Sequence, residues 1–191
     1  MEATEILIEE HEVILRVIAA MEAAARRIEA GQPIGGGAVL AGAHWFTTAA
    51  DFIQGFADGC HHRKEEGVLF PAMEAAGVPK EGGPIGVMLA EHEEGRRLTR
   101  AMRAAADKMA AGDAGARVDV RVNAMGYVSL LRQHIQKENR VLFPMADRVI
   151  RGAQQAEVAE AFERVEREET GAGLHEKYLG VAETLERALE S

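Results

Sequence analysis

One feature of the sequence constrains the fold more than any other: a segment of the chain occurs twice. Residues 61–74 and 134–147 align without a gap and share a His-x-x-Lys-Glu frame followed by Val-Leu-Phe-Pro. A weaker repeat pairs Glu-His-Glu at 10–12 with Glu-His-Glu at 91–93. Because the two kinds of segment alternate along the chain, the sequence indicates a duplicated helical hairpin. Such a duplication predicts a four-helix core with approximate twofold symmetry.

Apolar residues recur at the period of an amphipathic helix along almost the whole chain, and no alternating strand pattern is long enough to compete. Glycine-rich segments mark the breaks between the helices. The predicted helices cover about 3–30, 38–76, 84–111, a stretch from the 112–115 turn to 151, 154–169, and a last stretch to 190.

These helices predict an all-α fold. We expect an antiparallel up-down four-helix bundle over 1–152, with two shorter C-terminal helices over 153–191 packed on it. Pro71 and Pro144 lie inside the second and fourth helices. Because proline removes a helical hydrogen bond, each of these helices should bend just past the repeated histidine and glutamate.

Composition and charge exclude several functions. The 191 residues include 22 Lys+Arg and 31 Asp+Glu, a net charge of −9, and this acidic balance disfavours nucleic-acid binding. No apolar run approaches the about 18 residues that span a bilayer, and the acidic start lacks the basic region of a signal peptide. We therefore expect a cytoplasmic protein without a membrane or nucleic-acid partner. Its single cysteine excludes a disulfide framework, but its seven histidines require an explanation.

The repeated histidines and glutamates have the spacing of metal ligands. An imidazole and a carboxylate four residues apart project from one face of a helix. The repeat supplies two such pairs, and each of the other two helices adds one core-facing histidine. Burying these groups unpartnered costs several kcal/mol each, a cost that a metal pair removes. Histidine with carboxylate suits iron or manganese, with zinc possible. The residues in question are His11, His61, Glu65, His92, His134 and Glu138.

With these motifs the chain resembles the hemerythrin-like (HHE cation-binding) family. The resemblance covers about 5–150. It is carried by His11, Cys-His-His-Arg-Lys-Glu-Glu at 60–66, Glu-His-Glu-Glu-Gly-Arg at 91–96 and His-Ile-Gln-Lys-Glu at 134–138, with Val-Leu-Phe-Pro after the second and the last of these segments. It implies a bundle that holds two iron ions, bridged by two carboxylates and an oxo or hydroxo group. The ligands it implies are His11, His61, Glu65, His92, His134 and Glu138.

The chain departs from the oxygen-carrying members of that family. They have a second histidine on the third helix, where this chain has Arg96, and an aspartate five residues after the last histidine, where it has Asn139. The carboxylate lies one residue earlier, at Glu138. This pattern resembles a subtype that includes proteins of nitrosative and oxidative stress and of iron-centre repair. The missing histidine disfavours reversible O₂ storage.

Tyr127 has two interpretations. It lies two helical turns before His134, so it either orients ligands and contacts a bound oxygen species or is a core aromatic residue. Gln54 is its equivalent in the repeat. Gly95 replaces a bulkier residue of the first helix, and either opens space beside His92 or permits a close helix crossing.

Other candidates are weaker. His62 is rotated about 100° from the preceding histidine, so it should face outward or against a neighbouring helix. His44 is too far along its helix to reach the same metal, and His175 could fold back to cap the site. Cys60 is either a small buried residue or a regulatory thiol. The mixed charges at 160–169 predict a solvated helix face.

Three functions remain open at this point. The first is a non-haem di-iron protein that binds or reacts with O₂, peroxide or NO, in oxidative or nitrosative stress or in iron handling, with an unidentified protein redox partner. The second is a gas or iron sensor, or an O₂-binding protein without turnover, that signals through the C-terminal helices. The third is a metal-free helical interaction module in which the histidines are structural.

Overall fold

A computed structural model describes residues 3–35, 42–170 and 173–190, with the backbone alone at 168–170, 174 and 175. In these ranges the chain forms helices joined by turns and contains no strand. The all-α class is therefore confirmed. No helix among the described residues is both long enough and apolar enough to cross a membrane.

The first and third bundle helices are uninterrupted. They are α1 (Ala3–Glu29) and α4 (Pro84–Ala110), close to the predicted bounds. Pro84 occupies the first turn of α4, where the absent N–H costs no helical hydrogen bond.

The second and fourth bundle helices contain π-helical stretches. The second runs over 43–75, and its predicted first turn at 38–41 lies outside the described residues. Its elements are α2 (Ala43–Phe52), π-helical stretches at Ile53–His62 and Glu65–Leu69, and α3 (Phe70–Ala75). The fourth comprises α5 (Ala116–Lys137), a π-helical stretch at Glu138–Leu142, and α6 (Phe143–Val149).

The π-helical turns explain how two helices continue through a proline. Glu65–Leu69 ends two residues before Pro71, and Glu138–Leu142 ends two residues before Pro144. In an α-helix, the proline ring clashes with the carbonyl four residues back. A π turn moves the hydrogen bonding to residues five apart, so the backbone passes the proline without ending the helix. The wide turns begin at the two repeated glutamates.

Tight glycine turns end two of the bundle helices and reverse the chain. Gly77 and Gly112 have φ of 96° and 97°, a left-handed conformation that favours glycine. The short connections that follow make consecutive helices antiparallel. The four helices form a closed ring, in which α1 packs against α5, α5 against α4, α4 against α2, and the second helix back against α1.

The core consists of two apolar clusters separated by a buried polar layer. On α1, Leu7 belongs to one cluster and Ile14 to the other, with His11 buried between them. The corresponding order on α4 is Met88, His92 and Leu98. The repeated histidines and glutamates therefore lie inside the bundle, where water does not compete for them.

Two C-terminal helices lie against the bundle. They are α7 (Ala153–Arg164), which continues as a π-helical stretch at Val165–Thr170, and α8 (Leu174–Arg187). α7 contacts α1, and α8 contacts α1 and α2. Trp45 anchors α8, because its indole N–H donates to the Leu185 carbonyl at 3.0 Å. The division into two domains at 152/153 stays a prediction.

The contact between Gly55 and Tyr178 provides a test of this packing. A Cβ atom on Gly55 would lie 1.6 Å from the Tyr178 hydroxyl oxygen. We expect Gly55→Ala to lower the free energy of unfolding by about 1–3 kcal/mol, as overpacking does. In a Tyr178→Ala background the same change should be neutral or slightly stabilising, because alanine favours helix over glycine. Urea unfolding followed by circular dichroism measures both; an equal cost in the two backgrounds contradicts the packing.

Candidate metal centre

The buried polar layer contains two overlapping groups of side chains that could hold a metal ion. In each group the potential ligand atoms all lie within 4.8 Å of one another, and every residue is buried. The first group is His11, His61, Glu65 and Glu138, and the second is His62, Glu65, His92 and His134. Because Glu65 belongs to both groups, the arrangement suits two neighbouring metal ions rather than one.

Glu65 lies between a histidine of each group. Its Oε1 is 3.7 Å from His61 Nε2, and its Oε2 is 3.4 Å from His92 Nε2. Different oxygens of one carboxylate thus face the two groups, which is the position of a bridging ligand. Burial and the neighbouring Glu138 carboxylate raise the pKa of Glu65, so this carboxyl needs a cation to remain ionised in the core.

Glu138 occupies the corresponding place in the other half. Its Oε1 is 3.0 Å from His134 Nε2, and its Oε2 is 3.2 Å from His11 Nε2. Burial opposes ionisation, but the two imidazoles outweigh it and lower the pKa of Glu138. The same contacts act on His134: burial disfavours the imidazolium, yet Glu138 and Glu91 raise its pKa to about 9.

The unpaired atoms of the layer show that its residues fit a metal pair. Nε2 of His11 and His61, and both oxygens of Glu65 and Glu138, are buried without a hydrogen-bond partner. An unsatisfied buried polar group costs about 1–3 kcal/mol, and more if it is charged. Nitrogen and carboxylate donors suit iron, manganese or zinc, and binding of such ions would supply the missing partners.

Five histidines share one hydrogen-bonding arrangement. Each pairs Nδ1 with an oxygen outside the ligand layer, which turns Nε2 toward the layer. Nε2 of His11 and of His61 has no hydrogen-bond partner there, and Nε2 of His92 pairs with Nε2 of His134 at 3.0 Å. Such a bond sets the tautomer and raises the basicity of a ligating imidazole. The pairs are His11 with Asn139 (2.7 Å), His61 with Glu10 (2.9 Å), His62 with Asp58 (2.8 Å), His92 with Glu66 (2.7 Å) and His134 with Glu91 (2.9 Å).

The outer hydrogen bonds follow the sequence repeat. In the first half, His61 and Lys64 both donate to Glu10. In the second half the equivalent residues do the same: His134 and Lys137 donate to Glu91. The duplication therefore preserved the residues that orient the histidines as well as the histidines themselves.

The structure adds His62 to the candidate ligands. The residue is 3% exposed, and its ring stacks on that of His92 with 3.8 Å between ring centroids. It does contact a neighbouring helix, as the sequence allowed, but it was left out of the predicted ligand set. The π-helical backbone at Ile53–His62 rotates less per residue than an α-helix, so adjacent histidines both face the layer. The sequence repeat contained a hint of this inward position, because the residue equivalent to His62 is the apolar Ile135, which is buried.

Tyr127 is fully buried, and its hydroxyl has no hydrogen-bond partner. Burial raises the pKa of Tyr127, so it is a neutral phenol. A Cβ on Gly95 would lie 3.5 Å from the Tyr127 ring. This is an ordinary van der Waals distance, so a side chain as small as alanine would fit here and both predicted roles of Gly95 stay open.

A cleft of about 260 Å³ reaches the side of the centre that holds His62. Its lining includes Asp58, which accepts the His62 hydrogen bond, and Gln54, the repeat equivalent of Tyr127. Arg96, where oxygen carriers have a histidine, also lines the cleft and donates to Glu66 at 2.7 Å. Asp58 thus contacts a member of the second group directly, and Arg96 contacts the carboxylate that pairs with His92.

Neither His44 nor Cys60 belongs to the two ligand groups of the layer. His44 is exposed, consistent with its predicted distance from the site. Cys60 is buried, and burial raises the pKa of its thiol to about 12, so it is protonated and poorly reactive. The His175 side chain lies outside the described residues.

Comparison with known proteins agrees with this geometry. The model of the hemerythrin HHE cation-binding domain matches residues 2–146. The chain is 27% identical over 187 residues to uncharacterized protein Rv1995 of Mycobacterium tuberculosis and to Mb2018 of Mycobacterium bovis, which is 98% of this chain and 70% of each relative. It is 36% identical over 89 residues to the iron-sulfur cluster repair protein YtfE of Edwardsiella ictaluri, 45% of this chain and 40% of that protein. No solved structure matches the chain.

The unpaired hydroxyl of Tyr127 predicts an unusual mutational effect. We expect Tyr127→Phe in the metal-free protein to leave the free energy of unfolding unchanged or raise it by up to about 1 kcal/mol, since no hydrogen bond is lost. Thr99→Val is the matched control, because the buried Thr99 hydroxyl donates to the Gly95 carbonyl at 2.9 Å. That change should cost about 1 kcal/mol. If Tyr127→Phe costs as much in chemical denaturation, the hydroxyl has a partner after all.

Proposed function

Because the chain belongs to the hemerythrin HHE cation-binding family, we propose that it holds a non-haem pair of iron ions and binds or reacts with O₂, peroxide or NO. The observation that carries the proposal is the pair of buried His/Glu groups that share Glu65. Their unpartnered donor atoms support a resident metal and argue against the third possibility, a metal-free interaction module.

The proposed ligands form two unequal positions. The first would be held by His11 and His61 and the second by His62, His92 and His134, with both carboxylates between them. The full set is His11, His61, His62, Glu65, His92, His134 and Glu138. The first position would have two histidine ligands and the second three, so the first leaves more room for an added small molecule. His62 also replaces, from another helix, the imidazole that is lacking at Arg96, which removes the main sequence argument against reversible O₂ binding.

An iron pair would supply Lewis acidity and two electrons. The protein's contribution is to hold the imidazoles in one tautomer through their Nδ1–H bonds. The apolar clusters above and below the layer exclude water, which strengthens the electrostatic interactions within it. The cleft beside Asp58 and Arg96 supports access by small molecules rather than bulky substrates, because the ligand atoms themselves are buried.

The likeness to the iron-sulfur cluster repair protein YtfE covers less than half of either chain. It supports a role in oxidative or nitrosative stress or in iron handling as the biological setting of this chemistry. We also expect a cytoplasmic location, since the one cysteine is free.

A second candidate function is sensing without turnover. The specific observation in its favour is an ion pair between Lys64, beside the centre, and Glu166 of the C-terminal segment. A change at the metal could alter this contact and so reach a partner protein bound to the C-terminal helices.

Metal analysis tests the proposed ligands. After anaerobic loading with Fe(II) and removal of excess metal, the protein should contain about two irons per chain. His62→Ala should retain about one, because the second position loses a ligand, whereas His44→Ala changes an exposed histidine and should retain both. Full iron content in His62→Ala removes that residue from the ligand set. Absence of uptake by the unaltered protein overturns the proposal.

Stopped-flow spectroscopy of the reduced, iron-loaded protein separates the two candidate functions. Mixing with O₂, peroxide or NO should change the absorbance within the instrument's range, and the metal-free protein should show no change. Rapid consumption of peroxide over many turnovers indicates an enzyme, and a stable, reversible change indicates a carrier or sensor. A loaded protein that is silent towards all three molecules contradicts the proposed reactivity.

A further inference from the structure

Lys64 carries a completely buried ammonium group beside the candidate metal centre. Its side chain has no exposed surface, and Nζ donates to Glu10 at 2.5 Å and to Glu166 at 2.6 Å. An ammonium removed from water is stable only when it is paired and hydrogen-bonded. Both carboxylates are therefore part of the structure around Lys64.

Glu166 comes from the C-terminal segment. The sequence predicted a solvated helix face at 160–169, and 44% of the Glu166 side chain is indeed exposed. Its carboxylate nevertheless reaches inward, because the stretch Val165–Thr170 packs against Ile53–His62 of the second bundle helix. A residue outside the four-helix core thus contacts the polar layer.

A continuous chain of contacts connects this residue to a proposed ligand. Glu166 contacts Lys64, Lys64 contacts Glu10 Oε1, and Glu10 Oε2 accepts Nδ1–H of His61 at 2.9 Å. The negative charge on that acceptor sets how strongly His61 donates to a metal through Nε2. Lys64 draws charge away from Glu10, and Glu166 offsets this by sharing the ammonium.

The other half of the repeat lacks this arrangement. Lys137, the equivalent of Lys64, is 41% exposed, and its ion pair among the described residues is with Glu91. Solvent can screen this lysine, whereas Lys64 depends on Glu166. The atoms of Glu10, Cys60 and Glu166 also lie close enough to hold a cation, but the Lys64 ammonium already occupies that place.

We propose that Glu166 is a positioning residue of the metal centre, acting through Lys64 and Glu10 on His61, so that the C-terminal segment tunes metal binding at the His11/His61 position. This inference rests on the proposed function and adds its regulation. Coupling between two sites is reciprocal. Metal binding therefore stabilises the docked C-terminal segment, and a partner that displaces the segment weakens metal binding.

The test uses Glu166→Gln in the full chain, with Glu163→Gln as the matched control because Glu163 is exposed on the same helix. In the metal-free protein, ¹⁵N-edited NMR should show the His61 Nδ1–H signal shifted upfield in Glu166→Gln, with the His134 signal unchanged. Chelator competition should show Fe(II) affinity at the His11/His61 position reduced about three- to tenfold. This is less than the roughly 10–100-fold cost of losing a direct partner of a ligating histidine.

Hydrogen exchange adds the reciprocal measurement. Loading the unaltered protein with Fe(II) should slow amide exchange at 158–167, and Glu166→Gln should reduce that protection.

The outcomes separate the relay from the proposed function. If Glu166→Gln matches Glu163→Gln in the His61 signal and in Fe(II) affinity, the relay is wrong. Equal shifts at His61 and His134 also overturn it, since they indicate general loosening rather than a directed effect. If neither the unaltered protein nor Glu163→Gln binds Fe(II), the proposed function fails, and tuning of metal binding fails with it. The His61 signal then still decides whether the contact chain operates.

Discussion

Seven ionisable side chains, five imidazoles and two carboxylates, are buried between two apolar clusters of this bundle. Unpaired, such groups would cost more free energy than a domain of this size has as net stability. The surrounding side chains reduce this cost by pairing with the buried groups. Each Nδ1 has an oxygen acceptor, each carboxylate lies between two imidazoles, and the atoms left without partners face a common space.

The backbone also helps to place these side chains in the buried layer. The π-helical stretches at Glu65–Leu69 and Glu138–Leu142 begin at the two carboxylates and lead to a proline. A wide turn at each carboxylate carries the helix past the proline and faces successive side chains toward the layer. In the second helix, the longer π-helical stretch at Ile53–His62 also brings two adjacent histidines inward. Helix geometry and ligand placement therefore depend on each other.

The two halves of the bundle are similar in some residues and different in others, and both bear on the candidate metal centre. The two halves of the duplicated hairpin keep equivalent candidate ligands and equivalent hydrogen-bond partners for them, which supports the proposal of two metal positions. The departures are concentrated in the second bundle helix and its neighbours. His62 and Asp58 stand where the other half has Ile135 and Leu131, and the buried Lys64 pairs with Glu166. These departures make the two proposed metal positions unequal.

Much of this could be predicted from the sequence because the relevant signals are local. Helical periodicity and the four-residue spacing of His61 and Glu65 depend on neighbours along one helix. The repeat appears when the chain is aligned with itself, without any tertiary contact. They were sufficient for the fold class and for six candidate ligands. His62 was missed because an α-helical rotation was assumed where the backbone is π-helical. Glu166 was missed because its partner is 102 residues away in the chain. Contacts of that kind follow from how helices pack, so the carboxylate partners of the histidines and the contact of Glu166 with Lys64 were decided by the tertiary structure alone.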